Sequence, residues 1–226
     1  MRGEIKEYLA FNEFQARETE KNAATSWFPQ QYWEAAAASY HEAATAARLS
    51  GQLQKSIALG EKALEMAEKS KEPVLQLQAI NELIGGYSSV RNFEKPKGLI
   101  QKGFAILEKT PDAHTRNSWG SGLYLQLGID LMREREYEKA IDAFSQSLRL
   151  EEDAQAFRYR VIRNQSSIES GKTNIVSRLT HLGDAYRRAG KLGDVPQTIA
   201  QSPAPLSVST SHPYFWAPFI LVGDGR

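Results

Sequence analysis

An all-α fold is predicted: a right-handed solenoid of antiparallel helix pairs with a short non-helical C-terminal tail. Three observations predict it. Helix-favouring alanine, leucine, glutamate, lysine and glutamine dominate up to about residue 190. Apolar residues recur there at helical spacing and the pattern repeats along the chain. Proline is scarce in the same region, at Pro29, Pro73, Pro96 and Pro111, and then becomes dense between Pro196 and Pro218. The chain accordingly divides into an N-terminal helix or cap over 1–30, helical repeats over 31–195, and a Pro/Ser-rich segment over 196–226.

The first element, MRGEIKEYLAFNEFQARETEKNAA, reads as a helix that shields one end of the repeats. Its charges and the lack of an apolar central run set it apart from a secretory signal. The repeats are clearest in SIALGEKALEMAEKSKEP, FEKPKGLIQKGFAILEKTP and YEKAIDAFSQSLRLEED. Aligned, they place Ala63, Gly103 and Ser147 at one small-residue position, with spacings of 40 and 44 residues. Other helices of the repeat share an apolar residue, then a small or apolar one, then an aromatic or aliphatic one a turn later: Leu83/Ile84/Tyr87, Leu127/Gly128/Leu131 and Leu182/Gly183/Tyr186. Small residues let two crossing helices approach closely, and Phe93 or Tyr137 near the turn fills the wedge between them. Pro96 is tolerated because it falls in a first helical turn. AQAFRYRVIRNQSSIES is expected to form an extra helix ending near Gly171.

LQLGIDLMREREYEKAIDAFSQSL and HLGDAYRRAGKL resemble the tetratricopeptide repeat. The resemblance spans roughly residues 32–195. It departs from the usual pattern at Ser56 and Gly60, and the period is longer than the usual ~34 residues, which implies helices of more than average length. It implies a non-catalytic scaffold or adaptor that binds a protein or peptide on its concave face, lined by the first helix of each pair. The residues placed there are His41, Thr45 and Arg48 in the first repeat and Asn81, Gly85 and Ser88 in the second. The third supplies Leu125, Ile129 and Arg133, and the fourth Asp184 and Arg187. Tyr40, Tyr87, Tyr124 and Tyr186 are assigned to packing between helices. The chaperone-tail-binding subset uses a lysine, arginine and asparagine clamp. Its matching positions here hold His41, Thr45, Glu82, Gly122 and Gln126, which cannot make that clamp.

The terminal stretch His212–Asp224, HPYFWAPFILVGD, resembles the last segment of the caspase-like CHAT domain, a bacterial protease-type domain found downstream of tetratricopeptide arrays. In that family the segment is a buried strand, which fits its continuous apolar run. The family's activity rests on a histidine–cysteine dyad. This chain has no cysteine, and His212 belongs to the terminal motif rather than the catalytic one. The resemblance therefore implies a CHAT remnant without catalysis, either a shortened relative or the product of an internal deletion. It also raises an alternative role, a non-catalytic component of a CHAT protease system whose tail docks as a strand on a partner.

Other chemistry is excluded residue by residue. Lysine plus arginine number 28 against 27 acidic residues, leaving no net field for nucleic acid or anionic lipid. The absence of cysteine removes disulfides and thiolate zinc sites and fits a cytoplasmic protein. No run reaches the ~20 apolar residues of a spanning helix. HEAAT lacks the second histidine of a zinc motif, and SSIESGKT has Ser166 where a phosphate loop needs glycine. His41, His114, His181 and His212 are too scattered for a metal cluster, so no metal or cofactor is expected. Glu151/Glu152 reads as a solvated helix end. Arg158, Arg160 and Arg163 read as a salt-bridged face beside Glu151, Glu152 and Asp153. Asn164-Gln165-Ser166 fits a glycosylation sequon without a secretory context. The sequence sets no oligomeric state.

Overall fold

Helix-forming composition and close, short connections produce an all-α fold. The structure, a computed structural model, describes residues 2–162 and 165–191. The described residues form α1 (Arg2–Thr25), α2 (Pro29–Leu49), α3 (Leu53–Ser70), α4 (Pro73–Ser89), α5 (Glu94–Glu108), α6 (Ala113–Arg133), α7 (Tyr137–Phe157) and α8 (Gln165–Arg188). A π-helical turn, Arg158–Ile162, directly follows α7. Connections of a few residues join successive helices. The terminal stretch that resembles the CHAT segment, together with Arg163 and Asn164, lies outside the described residues.

The repeat is written into the turns. α2, α4, α6 and α8 all end on a left-handed residue: Gly51 at φ 80°, Arg91 at 59°, Arg135 at 64° and Gly190 at 72°. Each turn closes with the same two backbone bonds. Gly51 N–H donates to Arg48 and Gln52 N–H to Ala47, and Arg135 N–H donates to Met132 and Glu136 N–H to Leu131. Arg91/Asn92 and Gly190/Lys191 do likewise. This is the Schellman stop, in which glycine is favoured because it lacks a Cβ. Gly51, Arg91 and Arg135 reproduce the 40- and 44-residue spacings of the small-residue positions. Helix starts are equally legible. Pro29 and Pro73 occupy first helical positions, and Glu72 accepts from the Val74 N–H at 3.4 Å. Asp112 accepts from Thr115 N–H at 2.6 Å.

The chain divides into two compact units, Met1–Arg116 and Asn117–Arg226, with the boundary in the first turn of α6. The core of the first unit is alanine-lined. Ala16, Ala36, Ala37, Ala63, Ala67 and Ala79 pack with Tyr40 and Met66, and Leu9 packs with Ala43, Ala46 and Ala47. Side chains this small let α1, α2 and α3 pack closely. Tyr40 and Tyr87 are buried and donate their hydroxyls to Glu20 and Glu61, each at 2.6 Å. Burial, with those carboxylates adding, pushes the Tyr87 phenol up to about 12 and raises that of Tyr40 further.

In the second unit Ala140, Ile141, Phe144, Leu182 and Ala185 form the core, with Leu125, Ile129 and Met132 packed against it. Gly128 is the close-approach position: a Cβ there would stand 2.5 Å from the Phe144 ring. Gly183, by contrast, has no described residue within 4 Å of where its Cβ would stand, so among the described residues it marks no close crossing.

Two expectations need correction. No separate helix lies between α7 and α8. AQAF is the end of α7, the π turn follows, and QSSIES opens α8, which runs straight through Gly171. Gly171 does not end a helix. A Cβ there would meet Gln155 Oε1 at 1.7 Å and Arg158 Nη1 at 2.6 Å, so glycine is what lets α8 pass the end of α7. Nor is Glu151 solvated. It is buried within α7, while Glu152 is exposed.

Candidate functional site

In the second unit, α6, the turn after it, α7 and α8 enclose an open cleft of about 440 Å³. Helical spacing brings the α6 residues Ile129, Met132 and Arg133 to it, and the α8 residues His181, Asp184 and Arg188. Phe144 of α7 forms the floor, and Tyr137 and Arg135 come from the turn. The His181 ring stacks on Phe144 with centroids 5.4 Å apart and planes 17° from parallel. The result is an apolar base with a charged rim.

Ion pairs fix the rim. Arg133 Nη1 donates to Asp130 Oδ1 at 2.6 Å. Asp184 accepts from Arg188 Nε at 2.9 Å and from Arg187. Burial works against the Asp184 carboxylate, but the hydrogen bonds from Arg187 and Arg188 hold it below the usual carboxylate range. Arg135 is exposed. Burial pushes the His181 imidazolium down, with Asp184 opposing and Arg178 reinforcing.

That shift gives a pH prediction. Above about pH 6.5, where a free histidine is neutral, His181 is neutral folded or unfolded and adds no pH dependence. As pH falls through that value the unfolded chain protonates first, so folded stability drops until the lower folded pKa is passed. Between pH 8 and pH 5, Tm of the wild type should fall more steeply than Tm of His181→Asn. Parallel curves would show that His181 is not shielded.

Three residues expected on the binding face, Ile129, Arg133 and Asp184, meet in this cleft, and Arg187 joins through Asp184. Leu125 is partly buried against the core. In the first unit Thr45 and Arg48 of α2 converge on Glu82 of α4. Thr45 Oγ1 donates to Glu82 Oε2 at 3.2 Å and Arg48 Nε to Oε1 at 2.7 Å. Their hydrogen bonds are thus spent inside the protein. Thr45 also lines an apolar hollow with Ile5, Tyr8, Ala46 and Leu49. His41 is half-buried, its Nδ1 without a hydrogen-bond partner among the described residues. Asn81 is exposed, and Gly85 and Ser88 are half-buried.

Met132, Arg135, Tyr137, Phe144, His181 and Arg188 were not legible as lining residues. A helix-face count assigns one stripe per helix and does not reach the turn or the floor behind it. Arg135, like Arg91, stands where two of the four turns have Gly51 and Gly190, so the turn position alone did not single it out.

A second polar cluster lies deeper in this unit. Glu151 accepts from Arg158 Nη1 at 2.7 Å and from Arg178 Nη2 at 3.2 Å, and Asn174 donates to it at 3.3 Å. Arg178 Nε donates to Ser121 Oγ at 2.9 Å, and Ser121 and Ser147 exchange bonds with each other's backbone carbonyls. Every group is engaged with its neighbours, so the cluster ties α6, α7 and α8 together rather than offering a reactive atom. Among the described residues no group of three or more His, Asp or Glu side chains could hold a metal ion. No helix among them is long and apolar enough to cross a membrane.

Fold and cleft together define a protein built of repeated helical hairpins with an open, charged-rimmed cleft. No family model and no curated protein matches the sequence. Among solved structures the chain is similar to the crystal structure of BtubC (BKLC) from P. vanneervenii. Identity is 12%, the TM-score is 0.56, and the match covers 88% of each chain. At that identity the likeness concerns the fold alone.

Proposed function

We propose that this chain is a non-catalytic protein-interaction module of the tetratricopeptide type, and that a peptide or helix from a partner docks in the α6–α7–α8 cleft. One observation carries the reading: among the described residues, partly exposed Ile129 and Met132 sit with the buried Phe144 ring beneath charged side chains in an open cleft. Apolar surface of this kind, bounded by a few oriented polar groups, suits an anchoring side chain. The ion pairs on Asp130 and Asp184 hold the rim side chains in place before a ligand arrives, which lowers the ordering cost of binding. The groups that line it among the described residues, arginines paired to aspartates over apolar side chains, favour recognition.

Selection of random twelve-residue peptides on the whole chain, followed by affinity measurement on variants, tests this. Met132→Trp, which fills the cleft, and Ile129→Asp, which charges it, should each weaken the selected peptides at least tenfold while leaving circular dichroism unchanged. Undiminished binding to both variants would move the docking surface elsewhere.

A further inference from the structure

Resting on that reading, we infer that the cleft takes an acidic segment: an apolar side chain seated against Ile129 and Met132, with a carboxylate within about one helical turn of it. Charge and placement carry the inference. Three arginines line the cleft, Arg133, Arg135 and Arg188, against one carboxylate, Asp184. Including the ion-pair partners adds Asp130 and Arg187, giving four arginines against two aspartates. Burial disfavours the charged form of His181, so the surplus rests on the arginines.

The surplus is directed. Asp184 is shared between Arg187 and Arg188, so two guanidiniums divide one carboxylate and retain donors for another acceptor. Arg135 projects from the turn at the cleft mouth, in a left-handed conformation that glycine would occupy at less steric cost. Glutamates do stand in the same turn, but Glu134 and Glu136 are not among the lining residues, and Glu136 is held by Lys139 at 3.1 Å. Glu138 is likewise paired, with Lys191 at 3.4 Å. An apolar floor beneath a cationic rim matches an amphipathic segment with leucine-like anchors flanked by acids. It repels the same anchors flanked by lysine.

The test uses the whole chain and three labelled twelve-residue peptides. They share two leucines four residues apart and differ only in the flanking residues, which are glutamate, glutamine or lysine. Binding is followed by fluorescence anisotropy at low and at physiological salt. The glutamate peptide should bind at least tenfold tighter than the glutamine peptide, lose affinity with added salt, and leave the lysine peptide behind. Arg135→Glu, at an exposed site, and Arg188→Gln should each shrink that preference, and together they should shift it towards the lysine peptide. Equal affinity for the glutamate and glutamine peptides, or a preference unmoved by both substitutions, would overturn the acidic specificity and leave the cleft as a docking site. Binding of none of the three peptides would contradict the docking reading itself.

Discussion

Glu151→Ala is expected to destabilise the second unit by about 3–5 kcal/mol, the cost of leaving a buried ion pair without its partner. Glu151 is 1% exposed, and it is the carboxylate that Arg158 and Arg178 share. Its removal leaves two buried guanidiniums of like charge without the carboxylate they share. Against a typical domain stability of ~5–15 kcal/mol, such a loss approaches unfolding. Urea denaturation, with hydrogen exchange on α8 amides to localise the effect, measures it. The triple replacement Glu151→Leu, Arg158→Met, Arg178→Met should recover most of the loss, because desolvation offsets much of what a buried pair gains. A cost below about 1 kcal/mol for Glu151→Ala would mean that water reaches the cluster.

The second large effect is expected at the helix crossing beneath the cleft. Gly128→Ala places a methyl 2.5 Å from the ring of Phe144, which is fully buried and stacked on His181. The ring, held beneath His181, or α6 itself must shift, at a cost of about 1–3 kcal/mol. Phe144→Leu alone also destabilises, by loss of packed ring atoms. The double variant should be more stable than the sum of the two losses implies, since the methyl then fills the space the ring leaves. Strict additivity in the double-mutant cycle would show that Gly128 and Phe144 do not constrain each other.

What the sequence could show follows from the range over which each feature is decided. Helices and their ends are local. Proline at first positions, Schellman stops 40, 44 and 55 residues apart and alanine stripes all leave marks within one or two turns of chain. The small-residue position was legible for the same reason, since Ala63, Gly103 and Ser147 recur at the repeat spacing and all three prove buried. The Glu151 cluster was not. Its partners are 7 and 27 residues away, and one of them reaches it through a π turn that no periodicity announces. The mistaken extra helix has the same origin. Glycine is a stop signal in isolation, and only the position of Gln155 shows that Gly171 is there for clearance. On the candidate binding face, helical spacing found Ile129, Arg133 and Asp184. It could not show that Thr45 and Arg48 are taken up by Glu82, because that depends on how α4 packs on α2.

The three methionines allow a direct measurement of the docking claim. Met1, Met66 and Met132 each carry one methyl group, of which Met132 lines the cleft and Met66 is buried in the other unit. With ¹³C-methyl-methionine protein titrated with the glutamate-flanked leucine peptide, the Met132 resonance should shift saturably, at the affinity given by anisotropy, while Met66 stays fixed. Saturable peptide binding that leaves the Met132 methyl unmoved would contradict the assignment of the cleft as the binding surface.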